Sequence, residues 1–196
     1  MIFHKESKQA FVFPPKCGTQ TTRHFLEVCK WKNLGMTHVP TRKHIILYPN
    51  LKNYRIYAWF RDPVLRLESG ILYIKQVGYY QPKLDQFLID QGINKTRKTV
   101  TYEELIDVFP EMVKNFDVIF HPQADWYDQP NVIPLDFNNM ETELRHVTGN
   151  YEATFMIWNK STDFGRMPIS DKVRNFVREY YAADYVVAKE RMGKEY

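Results

Sequence analysis

Runs that are apolar at nearly every position, AFVF, YAWF, VIF and VIPL, punctuate this chain and alternate with stretches of helical spacing. A strand with one solvated face alternates apolar with polar residues, whereas a strand covered on both faces has no reason to. The runs therefore predict strands over residues 10–13, 34–38, 55–60, 117–120 and 132–135 in a parallel sheet. Helices are expected over 19–30, 63–73, 101–108, 139–147 and 170–191. Two of them carry explicit start signals. Asp62 before Pro63 supplies an N-cap and a first-turn proline, and Thr101 with Glu104 forms a capping box. Alternation of this kind predicts an α/β domain with helices on both faces of a central parallel sheet. With no linker or repeat to divide it, 1–196 reads as a single domain.

Composition narrows the partners. Lys and Arg number 27 against 23 Asp and Glu, a net charge of +4. That balance suits a small anionic ligand, and without a concentrated basic stripe it argues against nucleic acid. No apolar run approaches the ~20 residues that span a bilayer, and the N-terminal MIFHKESKQ lacks the apolar segment of a signal peptide. Cys17 and Cys29 form neither a CxxC pair nor a Cys/His cluster, so two free thiols in a reducing compartment are expected. The sequence thus reads as a soluble cytoplasmic protein with no membrane partner and no metal site; its oligomeric state is not legible.

Ligands of α/β sheets gather beyond the carboxyl ends of the strands. Two polar clusters follow predicted strands there. PPKCGTQTTR leads from AFVF into a helix, where the first helical N–H groups lack intrahelical partners and the dipole is positive. Gly18 allows close backbone approach to an anion, Lys16 adds a charge, and Thr19, Thr21 and Thr22 add hydroxyl donors. The nucleoside-triphosphate loop GxxxxGK[ST] is absent. The second cluster, RDPVLRLES, follows RIYAWF and places Arg61 at a strand end, with Arg66 and Ser69 three apart on one helical face.

Together these clusters resemble the paired signatures of sulfotransferases that use 3′-phosphoadenosine 5′-phosphosulfate (PAPS). PKCGT is similar to the 5′-phosphosulfate loop PKxGTT, and RDPVLRLESGILY to the 3′-phosphate motif RDPxxRxxSxxY, in the RDPxxRLxS form of the carbohydrate-type enzymes. The resemblance implies a P-loop NTPase-like sheet. It further implies a phosphosulfate site at Lys16, Cys17, Gly18, Thr19, Gln20 and Thr21, with Lys16 at the bridging oxygen, and a 3′-phosphate site at Arg61 and Ser69. Arg66 would support the motif structurally. Gln20 departs from the pattern, standing where the family has a second threonine, so retuned contacts through its amide are expected. IWNKS and VREYYAADYVVAKE resemble the family's NxS element and closing helix, which extends the likeness over most of the chain.

The implied reaction moves a sulfuryl group from PAPS to an acceptor hydroxyl, with a carbohydrate acceptor by nearest likeness, and leaves 3′-phosphoadenosine 5′-phosphate (PAP). It needs positioning, charge stabilisation and a base, but no metal. A histidine suits the base because its pKa of about 6.5 lies near operating pH. His38, in GMTHVP at the end of the second predicted strand, is the candidate, similar to the THLP and GHV histidines of the family. His121, in FHPQADW, is its rival and is read with Gln123 as an acceptor contact; Asp125 and Glu27 are outside candidates. Two other readings stay open. A phosphotransferase of the related P-loop fold would require a lysine after the second glycine and a magnesium-holding side chain, and a non-catalytic nucleotide-binding module would require neither.

Overall fold

The structure is a computed structural model that describes residues 1–35, 37–157 and 167–196. They group into two units. Met1–Arg61, Pro122–Asn159 and Ala183–Tyr196 form the first, and Asp62–His121 with Lys160–Ala182 the second.

The first unit carries the sheet. Strands β1 (Ile2–His4) and β2 (Gln9–Val12) make an antiparallel hairpin, and β3 (Lys32–Asn33) pairs antiparallel with β1. Strand β4 (Arg55–Phe60) runs parallel to β2, and β5 (Val132–Asp136) parallel to β4. The order is β3-β1-β2-β4-β5. Val12 pairs with Ala58 and Phe60 with Asp136, so the three parallel strands end on the same side.

Side-chain alternation divides the apolar residues between the two faces. Phe11, Tyr57, Trp59 and Leu135 pack with Phe25 and Leu26 of α1 (Thr19–Val28) and with Leu144 and Val147 of a helix at Met140–Thr148. Ala10, Val12, Ile56, Ala58 and Phe60 pack with Ile45 of α2 (Thr41–Leu47) and Ala188 of the C-terminal helix Ala182–Met192. A buried side chain of Phe size contributes about 1.5–3 kcal/mol. The fully enclosed Phe11, Trp59 and Phe60 therefore dominate the clamp between helices and sheet. This is a mixed α/β architecture with a five-stranded sheet flanked by helices.

The second unit is helical among its described residues: α3 (Pro63–Gln76), α4 (Gln81–Asp90), α5 (Tyr102–Asp107), α6 (Phe109–Phe116) and, after α7 (the Met140–Thr148 helix of the first unit), α8 (Asp171–Tyr180). The Asp62 carboxylate caps α3 by accepting from the backbone N–H groups of Val64 at 2.7 Å and Leu65 at 3.1 Å. Thr101 and Glu104 close the expected capping box. Arg66 is buried, its guanidinium 4.8 Å from the Tyr181 ring centroid, while the Tyr181 hydroxyl donates to Phe120 O at 2.8 Å.

Several expectations are corrected. The sheet is not wholly parallel, because the β1–β2 hairpin and β3 add antiparallel pairs. Described residues of 34–38 form no strand; Gly35 and His38 have φ of 76° and 59°, which break extended backbone, and pairing stops at Asn33. The run 117–120 turns as a 3-10 segment (Asp117–Ile119) that follows directly on α6, its apolar Ile119 and Phe120 buried without strand pairing. The single helix expected over 170–191 is two, α8 and α9 (Ala182–Met192), separated at Tyr181 with φ −102° and ψ 29°. The IWNKS element lies outside the described residues except for Ile157.

Candidate functional site

The loop after β2 has the geometry of an anion cradle. Lys16 and Gly18 both take left-handed backbone, φ 63° and 67°, and Gly18 is the N-cap of α1 with no side-chain cap. A side chain other than glycine pays a penalty there, and non-glycine residues in this conformation cluster at functional sites. A Cβ on Gly18 would stand 2.3 Å from Met140 Cε and 3.1 Å from Phe137 Cε2, so glycine is required by both torsion and space. Behind the loop, Thr22 Oγ1 donates to Gly18 O at 2.9 Å and accepts from the buried Trp59 Nε1 at 2.6 Å. The helix start is thereby fastened to the neighbouring strand.

Arg61 follows β4 directly and reaches the same loop. Its Nη1 donates to Lys16 O at 2.9 Å, and its guanidinium carbon lies 4.8 Å from the Phe137 ring centroid. Two cationic side chains thus share this corner. Burial lowers the Lys16 pKa to about 7, and the neighbouring Arg61 charge adds to the effect. An anion bound here would favour the charged form of both.

Gln123 locks the Arg61 backbone. Its Oε1 accepts from Arg61 N at 3.0 Å and from Cys17 Sγ at 3.3 Å, and its Nε2 donates to Arg61 O at 2.8 Å and Asp184 Oδ2 at 3.4 Å. The second oxygen of Asp184 accepts from Ala124 N at 2.8 Å. Gln123 and Asp184 are both fully enclosed.

His38 completes the group. Its Nδ1 stands 3.0 Å from Phe13 O. A carbonyl oxygen only accepts, so Nδ1 carries the proton and Nε2 of the neutral ring holds the lone pair. Burial lowers the His38 pKa; the bond to Phe13 opposes this, and the nearby Lys16 charge reinforces it. The ring is therefore neutral at neutral pH, with Nε2 able to take a proton.

The first unit thus gathers Lys16, Cys17, Gly18, Thr19, Gln20, Thr21, His38, Arg61 and Gln123. Gln20 is exposed on the first turn of α1, while Cys17 and Thr21 are buried. Ser69 and His121 belong to the second unit, Ser69 buried on α3 and His121 half-buried after the 3-10 turn. Sequence reasoning missed Phe137 and Asp184, whose contacts with Gly18, Arg61 and Gln123 are distant in sequence. Among the described residues, no group of three or more His, Cys, Asp or Glu side chains is arranged to hold a metal ion. None of the helices among the described residues is long and apolar enough to cross a membrane. No family model, no curated protein and no solved structure matches the chain.

Proposed function

We propose that this protein is a sulfotransferase that uses PAPS as donor and a hydroxyl, of a carbohydrate by nearest likeness of its motifs, as acceptor. The observation that carries the reading is the convergence on one loop of an uncapped helix start, two cationic side chains and a histidine whose protonated nitrogen is tied to Phe13, the residue that follows β2. The parallel β2–β4–β5 arrangement, with the loop between β2 and α1, fits a P-loop NTPase-like sheet.

In this reading the amides at the start of α1 and the Lys16 ammonium hold the phosphosulfate, while Arg61 takes the 3′-phosphate. His38 Nε2 removes the acceptor's hydroxyl proton as the acceptor oxygen bonds to sulfur. The bond between sulfur and the bridging oxygen breaks, and its electron pair stays on the departing phosphate. Lys16 and the loop N–H groups stabilise that developing charge, where preorganised donors have their greatest effect. Gln123 is enclosed and its amide committed, so here it supports Arg61 instead of touching the acceptor. The half-buried His121 is left as the acceptor contact.

Thermal denaturation with added nucleotides tests the assignment. PAP is expected to raise the melting temperature more than ADP at equal concentration. A larger shift with ATP and magnesium would favour the phosphotransferase reading instead.

A further inference from the structure

The Gln123 side chain uses its full hydrogen-bonding capacity. Two acceptor positions on Oε1 face Arg61 N and Cys17 Sγ, and two protons on Nε2 face Arg61 O and Asp184 Oδ2. Toward Arg61 it acts as a missing strand neighbour, pairing with both backbone groups just beyond β4. An amide presents nearly the same shape when its two ends are exchanged, and shape alone does not choose between them. The Arg61 backbone makes that choice, since its N–H needs an acceptor and its C=O a donor, and Asp184 reinforces it. A carboxylate accepts hydrogen bonds, so it too selects Nε2, which leaves Oε1 for Arg61 N and the thiol. Asp184 is itself oriented by Ala124 N at 2.8 Å.

The chain of contacts is continuous. Asp184 on α9 braces Gln123, Gln123 grips the Arg61 backbone and the Cys17 thiol, and the Arg61 guanidinium holds Lys16 O at 2.9 Å. We infer that Asp184 is a positioning residue that acts through Gln123 to set the geometry of the anion loop. A fully satisfied buried network of this kind specifies one arrangement, and loss of one member leaves enclosed polar atoms mispaired. The functional consequence rests on the proposed PAPS reading; the mechanical coupling does not.

The test uses Asp184→Asn in a Cys29→Ser background, with Gln123→Met as a second variant that removes all four amide contacts at similar volume. Circular dichroism and a melting curve establish that each variant folds. Two quantities are then measured, the rate of Cys17 modification by a soluble thiol reagent and the dissociation constant for PAP. Both variants are expected to label Cys17 at least tenfold faster than the background protein. PAP binding is expected to weaken about tenfold, while Asp184→Glu, which keeps the carboxylate, recovers part of both effects. Unchanged Cys17 labelling in a folded variant overturns the inference. So does unchanged PAP affinity in a variant of a parent that binds PAP. Faster labelling in a protein that never binds PAP supports the brace and overturns the PAPS reading. If Asp184→Asn does not fold, Gln123→Met decides by the same two readouts.

Discussion

His38 Nδ1 lies 3.0 Å from the carbonyl oxygen of Phe13, three residues ahead of Lys16, and this bond leaves Nε2 as the nitrogen with a lone pair. A histidine placed by an irregular segment is thereby tied to the stretch of chain that leads into the loop before α1. Its left-handed backbone, φ 59°, is a local strain that the surrounding contacts hold in place.

The base assignment predicts that His38→Ala lowers kcat about 10²–10⁴-fold with PAP affinity nearly unchanged. His121→Ala is expected to act mainly on the KM for the acceptor. Because the folded protein depresses the His38 pKa, the rising acid limb of kcat/KM should lie below about pH 6.5. Full turnover in His38→Ala, with activity lost in His121→Ala, would transfer the role to His121. Steady-state kinetics over a pH series makes the distinction.

Lys16 gives a separate prediction for the pH dependence of PAP binding. In the free protein its pKa is about 7, from burial first and Arg61 second, and a bound anion raises it. The complex therefore binds more protons than the free protein, so affinity must fall as pH rises above 7. PAP titrations from pH 7 to 9 should show the dissociation constant rising by up to about tenfold per pH unit. Lys16→Arg, which keeps its charge over that range, should flatten the dependence.

Gly18→Ala is expected to destabilise the protein by about 1–3 kcal/mol from the backbone torsion alone. The contact with Met140 adds to this, although the end of that side chain can swing aside. The contact with Phe137 is less forgiving and also touches Arg61, so PAP affinity should drop as well. Urea denaturation of Gly18→Ala with and without Met140→Ala separates the torsional cost from the steric one.

Thr22→Val removes the acceptor of the buried Trp59 N–H while preserving shape. A loss of about 1–3 kcal/mol is expected from the orphaned donor, with a smaller loss for Thr22→Ser, which keeps the hydroxyl. Denaturant midpoints at constant slope provide the measurement.

What was legible in the sequence was local. The Asp62–Pro63 start of α3, the Thr101–Glu104 box and the doubly covered run RIYAWF act within a few residues, and each appears where expected. The run 117–120 failed because a short apolar stretch has no period that separates a strand from a buried turn. Strands β1 and β3, of three and two residues, are too short to carry a pattern. Helix α6 was hidden by Pro110, which occupies its first turn without breaking it. In the loop, Gly18 and Lys16 stand out in the sequence by type and spacing, and both take left-handed backbone. Gln123, expected as an acceptor contact, is enclosed with partners 62 and 106 residues away at Arg61 and Cys17, and nothing in HPQ distinguishes an amide facing inward from one facing an acceptor.

Calorimetric titration of PAP, with ADP and ATP–magnesium as competitors, bears most directly on the claim that this loop and Arg61 bind a 3′-phosphorylated nucleotide. The account predicts saturable PAP binding, at least tenfold weaker binding of the other two, and a comparable loss in Arg61→Ala. Tighter binding of ATP–magnesium, or PAP affinity unaffected by Arg61→Ala, would contradict it.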